Sequence, residues 1–333
     1  MIIPSYNRET LLRDTLDNVL GQTRPPDEVI VVDDGSIDHS RDMVAKLFPS
    51  VTLLCQENLG PGAARNKGFK ESVGDLIWFM DSDDLVTRNK LEEQATVLEN
   101  STADFAYSPW IRCKINEKAL LFKGPVLQAE PLPDDRSMLE WHLGSWSIVF
   151  QNCLFKRATL EKNGGYRTDL YCGEDNELLV RILLSGAQPV HTANCSTFYR
   201  SNGPEQAQLT VSGRTPKDRA EDTSCYLDTV TELLAPQWQD LHRVARKEFQ
   251  LSCWRHHRYC ARMGFKGLNT STRHQLGIEK EVAALRLREL KERVLRKMSS
   301  TPSDVPLSKG LATQPVGERE QKWAAEIGYI SGV

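Results

Sequence analysis

Two short apolar runs, each followed at once by acidic residues, constrain most strongly what this chain can fold into. Residues 28–33 (EVIVVD) and 76–80 (LIWFM) have the composition of strands that are buried on both faces of a parallel sheet. Segments with helical periodicity lie between such runs. This alternation predicts an α/β fold with a doubly wound, mostly parallel sheet flanked by helices. Further helices are predicted near 11–20, 40–48, 63–72 and 88–98, and further strands near 51–55 and 105–107.

The second half of the chain is predicted to be irregular at first and then helical. Periodicity fades between residues 112 and 146, where Pro125, Pro131 and Pro133 favour loops. Regular signals return at 148–155, and an acidic run precedes a helical pattern at 178–184. The longer helices are predicted over 220–234, 241–263 and 278–298. We therefore expect two halves of one α/β domain over 1–110 and 111–212, a helical C-terminal extension over 213–298 and a flexible tail over 299–333.

Composition limits the class of protein and its compartment. The formal net charge of −3 gives no reason to expect a nucleic-acid partner. No stretch reaches the roughly 18 consecutive apolar residues of a membrane span, and the N-terminus does not resemble a secretory signal. Eight scattered cysteines without C-x-x-C pairs favour reduced thiols. We expect a cytoplasmic enzyme, either soluble or held at the inner face of a membrane. Residues 1–3 resemble the end of a strand, so the first strand is either very short or begins upstream.

Polar residues follow three of the predicted strands at the point where each strand ends. Ligands of an open α/β sheet bind beyond the carboxyl ends of its strands, so these residues are candidates for a site. The three strand ends are Pro4-Ser5-Tyr6-Asn7, Asp33-Asp34-Gly35-Ser36 and Asp81-Ser82-Asp83-Asp84.

The acidic strand end at 81–84 has two interpretations. Three carboxylates within four residues repel one another, and a hard divalent cation such as Mg²⁺ or Mn²⁺ would relieve that repulsion. The alternative is an acidic cap on the following helix. The position directly after an apolar strand favours metal binding.

Three other motifs admit both a structural and a functional interpretation. Asp34 is either part of a simple turn or a hydrogen-bond acceptor for a base or ribose. The glycine-rich segment 58–68 begins a helix whose N-terminus, with Arg65 and Lys67, suits a diphosphate or a base. It lacks the spacing of a phosphate-binding P-loop, and no G-x-G-x-x-G follows a strand. Glu174 and Asp175 either cap the helix that follows or present a general base.

In order along the chain, these motifs resemble the inverting glycosyltransferases of family 2, which have the GT-A fold. The strings that carry the resemblance lie within residues 2–186 and are IIPSYNR, EVIVVDDGS, NLGPGAARNKG, GDLIWFMDSDD and LFKRATLEKNGGYRTDLYCGEDNELLVRILLSG. The resemblance implies a nucleotide-sugar-binding half over 1–110 and an acceptor-binding, catalytic half over 111–212. No Q-x-x-R-W string follows residue 175, which implies a non-processive enzyme that adds a single sugar.

The resemblance also implies a role for each candidate residue. Asp175 would be the catalytic base, and Asp83, with Asp81, would bind Mn²⁺ or Mg²⁺. Glu174, Asp84 and Lys67 would support the site. The nucleotide of the donor would be bound by Pro4, Tyr6, Asn7, Asp34, Arg65 and Asp81. The donor would be a UDP-sugar, and the acceptor a saccharide or a lipid-linked sugar of cell-surface polysaccharide or glycolipid synthesis.

Two alternative functions remain open from the residues alone. A nucleotidyltransferase also uses a parallel sheet and paired acids, but it would carry a glycine-rich, lysine-bearing loop where this chain has PSYNR. A degenerate family member would act as a binding subunit without catalysis.

Several other features have a structural interpretation that we favour. The set Cys253, His256, His257 and Cys260 lies on one helix and cannot surround a tetrahedral ion. A lone His191 near a strand, and the aromatic residues Trp141, Trp146 and Tyr171, are more often structural than ligand-binding. The helix over 278–298 is amphipathic, and it either packs on the body or a second subunit or binds an anionic membrane surface.

Overall fold

A computed structural model describes residues 1–116, 119–144, 148–201, 214–278, 284, 287, 290 and 314–332. The strands are β1 (Ile2–Ser5), β2 (Ile30–Asp34), β3 (Thr52–Gln56), β4 (Leu76–Ile77), β5 (Leu85–Val86), β6 (Phe105–Tyr107), β7 (Trp110–Ile115), β8 (Ala119–Phe122), β9 (Cys153–Lys156), β10 (Pro189–His191), β11 (Thr197–Arg200) and β12 (Ile330–Gly332). The helices are α1 (Glu9–Leu20), α2 (Ser40–Leu47), α3 (Pro61–Glu71), α4 (Lys90–Glu99), α5 (Met138–Leu143), α6 (Arg157–Lys162), α7 (Glu174–Leu184), α8 (Pro216–Leu234), α9 (Arg243–Met263), α10 (Thr270–Gln275) and α11 (Glu318–Glu326).

The main sheet has the strand order β3-β2-β1-β4-β9-β6-β10. Strands β1, β2 and β3 are parallel, and β10 is parallel to β6. Ile2 joins the two halves, since its N–H donates to Trp78 O (2.9 Å) and its carbonyl accepts from Met80 N (3.0 Å). Strand β9 is antiparallel to both β4 and β6. The predicted mostly parallel sheet flanked by helices is confirmed, and β1 lies near its centre.

Helices cover both faces of the main sheet and bury its apolar residues. On one face, Leu12 and Leu16 of α1 pack with Val31 and Trp78. On the other face, Leu178 and Ile182 belong to a second apolar cluster that includes Ile2 and Phe155. Helix α3 approaches this second face closely, because Gly68 lies directly against Ile2. A Cβ atom on Gly68 would lie 2.5 Å from Ile2 Cγ2.

The expectation of loops between residues 112 and 146 is wrong for the parts that form β7, β8 and α5, whereas Pro125, Pro131 and Pro133 lie outside helices and strands as expected. Strands β7 and β8 form an antiparallel hairpin in a second sheet of order β12-β8-β7-β11-β5. In β7 the buried Cys113 and Ile115 flank the exposed Lys114, which is the alternation of a half-buried strand. Helix α5 is short, and it begins with a capping box formed by Ser137 and Glu140.

The prediction of a flexible tail over 299–333 is wrong for its last part. Helix α11 buries Trp323 and Ala324 in the same apolar cluster as Phe122 and Phe198. Strand β12 then extends the second sheet in parallel with β8. Residues 299–320 are rich in Ser, Pro, Gly and Thr, and this composition gave no indication of the short amphipathic helix that begins at Glu318. Residues 299–313 lie outside the described residues, as do the positively charged residues expected over 279–298.

The predicted helical C-terminal extension is confirmed. Helices α8 and α9, with residues that flank α10, share an apolar cluster in which Val230 and Trp254 pack with Leu139 and Val180 of the α/β domain. In the described part of the chain, no helix is both long and apolar enough to cross a membrane.

Candidate active site

A cavity of about 430 Å³ opens at the carboxyl ends of the central strands. Its wall combines the strand ends at 4 and 81–84, the N-terminal part of α3, the N-terminus of α7, the end of β11 and one face of α8. The candidate residues that line this cavity are Pro4, Arg65, Asp81, Asp83, Asp84, Glu174 and Asp175. Residues that are far apart in sequence therefore contribute to one chamber.

The three aspartates after β4 form an acidic cluster. One carboxylate oxygen from each of Asp81, Asp83 and Asp84 lies within 4.8 Å of the other two. Burial and the charge of Asp81 raise the pKa of Asp83 to about 6, against the opposing charges of Arg8 and Arg200. The two arginines therefore do not fully balance the negative charge of the aspartates. Carboxylate oxygens at this spacing suit a hard divalent cation.

Asp84 has a different environment from the other two aspartates. Its Oδ1 accepts a hydrogen bond from Arg200 N (2.7 Å), and its Oδ2 accepts one from the side-chain amide of Gln151. Burial raises the pKa of Asp84 well above its usual range, and the charges of Asp83 and Asp81 add to the effect. Asp81 and Asp83 therefore have more freedom to bind a cation, while Asp84 anchors the strand end.

Arg65 connects the acidic cluster to the start of α7. Its Nη2 donates to Asp81 Oδ1 (2.8 Å) and its Nη1 donates to Glu174 Oε1 (3.1 Å). Nη1 also lies 3.6 Å from Asp175 Oδ1, and the guanidinium lies over the ring of Tyr166. The Arg65 side chain is only 5% exposed, so these charges interact with little screening by water.

The start of α7 places Glu174 and Asp175 at the cavity. Gly173 precedes the helix with a left-handed φ of 82°, and a Cβ atom there would lie 2.8 Å from the Tyr226 ring. Glycine is therefore required by both the backbone and the close packing of α8.

Asp175 is a buried acid whose pKa lies near neutrality. Burial raises the pKa of Asp175 to about 7; Arg65 lowers it, and the charges of Glu174 and Asp81 raise it. Neither Asp175 Oδ1 nor the Tyr166 hydroxyl makes a well-aligned hydrogen bond with the described residues, although the tyrosine is close enough to lower this pKa. A carboxyl group of this kind can exchange a proton near pH 7.

Four candidate residues do not line the cavity. Both carboxylate oxygens of Asp34 are engaged by the segment before α3, since they accept from Gln56 Nε2, Leu59 N and Gly60 N. Asn7 bonds to the turn after β2 through Ser36 Oγ and Ile37 N. Lys67 Nζ donates to Cys55 O (2.6 Å), and Tyr6 is half-buried beside Asn7. Their predicted roles toward a nucleotide stay predictions.

Sequence reasoning missed several residues of the cavity wall. Gln151, Tyr199, Arg200 and Tyr226 all line it, and they come from segments that carry no recognisable motif. Arg200 is the last residue of β11, and its position at a strand end was the available signal; Gln151 lies in the turn just before β9. Tyr226 lies on α8, so the helical extension contributes directly to the site.

Among the described residues, the contacts of His191, of the cysteine and histidine set on α9 and of Trp141 fit a structural interpretation, whereas Tyr171 is exposed. His191 Nε2 lies 2.8 Å from Gln128 O and its ring packs on Tyr107. His256 Nε2 lies 2.8 Å from Ser224 Oγ on α8, and Cys253 and Cys260 are buried in the same helix interface. Trp141 is buried, whereas Tyr171 is 41% exposed beneath Arg214. Trp146 lies outside the described residues.

Comparison with a solved structure assigns the fold class. The structure of Staphylococcus aureus TarS residues 1–349 in complex with UDP-GlcNAc superposes with a TM-score of 0.52 at 17% identity. The match covers 77% of this chain and 79% of TarS 1–349. At this identity the likeness shows the fold alone, which is the GT-A type.

Comparison of sequences assigns the family. Residues 1–164 match the family described as Glycosyl transferase family 2. Residues 1–164 therefore form a glycosyltransferase family 2 domain.

The match to this chain covers only part of each relative's length. An uncharacterized glycosyltransferase of Haemophilus influenzae is 28% identical over 184 residues, which are 55% of this chain and 61% of that protein. A Bacillus subtilis glycosyltransferase named for teichuronic acid biosynthesis, TuaG, is 35% identical over 112 residues, which are 32% of this chain and 44% of TuaG. The chain spans less than two thirds of the length of each of these relatives.

Proposed function

We propose that this protein is a metal-dependent, non-processive glycosyltransferase that moves one sugar from a nucleotide-sugar to an acceptor hydroxyl with inversion. The observation that carries the proposal is the shared cavity of two acidic groups. Asp81 and Asp83 belong to an acidic cluster that could hold a cation, and Asp175 has a pKa near neutrality. Arg65 lies between them and contacts both groups.

The two acidic groups take different roles in the proposed reaction. A divalent cation, Mn²⁺ or Mg²⁺, would be held by Asp83 and Asp81 and would supply charge neutralisation at the leaving diphosphate. Asp175 takes the proton of the acceptor hydroxyl as that oxygen attacks the anomeric carbon from the face opposite the leaving nucleoside diphosphate. Arg65 holds Asp81 and Glu174 in place and keeps Asp175 partly ionised. One direct displacement of this kind inverts the anomeric centre.

The donor and acceptor classes are inferred from relatives. TarS was crystallised with UDP-GlcNAc, so a UDP-sugar is the first donor to consider. TuaG is named for teichuronic acid biosynthesis, which supports an acceptor in cell-surface polysaccharide synthesis. All eight cysteines are free thiols, which supports a reducing, cytoplasmic compartment. Acceptors at the inner face of the membrane fit this proposal.

The test is the release of nucleoside diphosphate from a panel of UDP-, GDP- and dTDP-sugars, with Mn²⁺, with Mg²⁺ or with EDTA. We expect release from one nucleotide class, and only with a metal, in the presence of a saccharide acceptor mixture. NMR of the product should show the inverted anomer. Pyrophosphate release from a nucleoside triphosphate and a sugar phosphate would instead indicate a nucleotidyltransferase. Absence of both reactions would leave the binding-subunit alternative.

A further inference from the structure

We propose that Arg200 binds the diphosphate of the donor and that Asp14 holds Arg200 in position for this contact. The inference rests on the proposed function, because it takes a nucleoside diphosphate as the ligand of the cavity. It adds a residue that no sequence motif indicates and that comes from the far end of the α/β domain.

Arg200 is buried and yet belongs to the cavity wall. It is the last residue of β11, its side chain is 4% exposed, and it lines the same cavity as Asp81 and Asp83. Its main-chain N–H donates to Asp84 Oδ1 (2.7 Å), which fixes the residue beside the acidic cluster.

The guanidinium of Arg200 retains unused hydrogen-bonding capacity. Nη2 donates to Asp14 Oδ2 on α1 (3.3 Å). The Nε–H group is buried and has no hydrogen-bond partner among the described residues. A buried donor without a partner is costly, so an acceptor that enters from the cavity would be bound favourably.

Comparison with Arg65 shows why Arg200 is the better phosphate ligand. Arg65 and Arg200 are the cationic residues among the described residues that line the cavity. Arg65 also has a buried Nε–H without a hydrogen-bond partner among the described residues, but its guanidinium is already contacted by Asp81, Glu174 and Asp175. Arg200 has one carboxylate partner, Asp14, and that residue is outside the cavity wall.

The chemistry of the ligand follows from these charges. The cavity wall carries five acids, Asp81, Asp83, Asp84, Glu174 and Asp175, so an anionic ligand needs cationic contacts to enter. A planar guanidinium can donate two parallel hydrogen bonds to a phosphate, which makes arginine well suited to this task. Asp81 and Asp83 would hold a divalent cation, and Arg200 would supply a second positive charge to the diphosphate.

The test separates phosphate recognition from recognition of the nucleoside. We would measure the affinity for UDP by calorimetry and for uridine by NMR titration, at one fixed Mn²⁺ concentration, for the wild type and Arg200→Gln. We expect UDP affinity to fall at least tenfold and uridine affinity to stay unchanged. Arg88→Gln, which removes an exposed arginine from a neighbouring surface, is the matched control and should change neither affinity.

A second variant covers the case in which Arg200→Gln does not fold. Asp14→Asn keeps the size of the side chain, and Asp14 is 37% exposed, so this variant should fold. It should weaken UDP binding severalfold and leave uridine binding unchanged. Equal loss of UDP and uridine affinity, or no loss of UDP affinity, would overturn the assignment. A wild type that binds none of UDP, GDP and dTDP would overturn the proposed function itself, and this assignment with it.

Discussion

Nη1 of Arg65 lies 3.6 Å from Oδ1 of Asp175, although the two residues belong to helices α3 and α7. The same guanidinium donates to Asp81. The buried Arg65 side chain therefore contacts both the acidic cluster and Asp175, whose pKa is near neutrality. The charge of Arg65 opposes the effect of burial on Asp175 and thereby keeps this acid able to ionise near pH 7. The predictions below test this arrangement.

Asp175→Asn should abolish sugar transfer while leaving donor binding intact. The amide has nearly the same shape but cannot accept a proton, and removal of a general base typically costs about 10²–10⁴-fold in rate. The measurement is kcat for nucleoside diphosphate release together with calorimetric affinity for the diphosphate. Asp169→Asn changes an exposed acid in the preceding loop and should retain activity. Full activity of Asp175→Asn would remove Asp175 from the reaction.

The rate of transfer should rise with pH through the pKa of Asp175. The protonated acid cannot accept the proton of the acceptor hydroxyl, so kcat/KM should increase about tenfold per pH unit below that pKa. It should level off above a pH of about 7, because the pKa of Asp175 in the free protein is about 7. A profile that is flat between pH 5 and 8 would contradict the assignment.

The raised pKa of Asp175 should also make the free energy of unfolding depend on pH. Burial raises the pKa of folded Asp175 to about 7, above the value of roughly 3.9 in an unfolded chain. Between these two values the folded state binds more protons, so this residue makes the free energy of unfolding fall as pH rises. Asp175→Asn lacks that dependence.

We therefore expect Asp175→Asn to gain stability relative to the wild type as pH rises from 5 to 8. Urea denaturation of both proteins in the absence of metal and nucleotide, at each pH unit, measures the difference. Asp169→Asn should show no such growing gain, because the Arg167 contact lowers the pKa of Asp169. A constant difference between wild type and Asp175→Asn at all pH values would show that the pKa is not raised.

Gly68→Ala should destabilise the fold through the contact between α3 and β1. The added Cβ would lie 2.5 Å from Ile2 Cγ2, and overpacking of a core typically costs about 1–3 kcal/mol. Gly74→Ala is the matched control, because the nearest atom to its Cβ would be Leu76 O at 3.6 Å. Denaturant unfolding should therefore separate the two variants. Equal midpoints would show that this interface is loosely packed.

The sequence was sufficient for the parts of the fold that depend on local patterns. Residues 105–107 were predicted as a strand and form β6, and β2 ends at Asp34 directly after its apolar run. The run at 76–80 forms a strand only at Leu76–Ile77, and Phe79 adds a single bridge to Ile2. Carboxyl ends of parallel strands meet at one edge of a sheet, so the meeting of Pro4 and Asp81 could be expected. The antiparallel strand β9 could not, since strand direction depends on the path of the whole chain.

The remaining parts of the site depend on contacts between distant segments. Arg200 and Tyr226 reach the cavity only because β11 and α8 pack against it, and neither belongs to a motif. Asp34 matches a family motif, yet its oxygens are engaged by main-chain groups at 59 and 60. Hydrogen-bond partners of this kind are chosen by tertiary packing. Trp323 was likewise missed, because the Ser-, Pro-, Gly- and Thr-rich composition of the residues before its helix was extended to the whole tail.

The most direct test of the central claim is a calorimetric titration of UDP with and without Mn²⁺, on the wild type and on Asp83→Ala. We predict Mn²⁺-dependent UDP binding by the wild type and its loss in Asp83→Ala. Asp42→Ala, which removes an exposed aspartate of α2, should bind like the wild type. UDP affinity that is the same with and without Mn²⁺, or that survives in Asp83→Ala, would contradict a metal-dependent donor site at the acidic cluster.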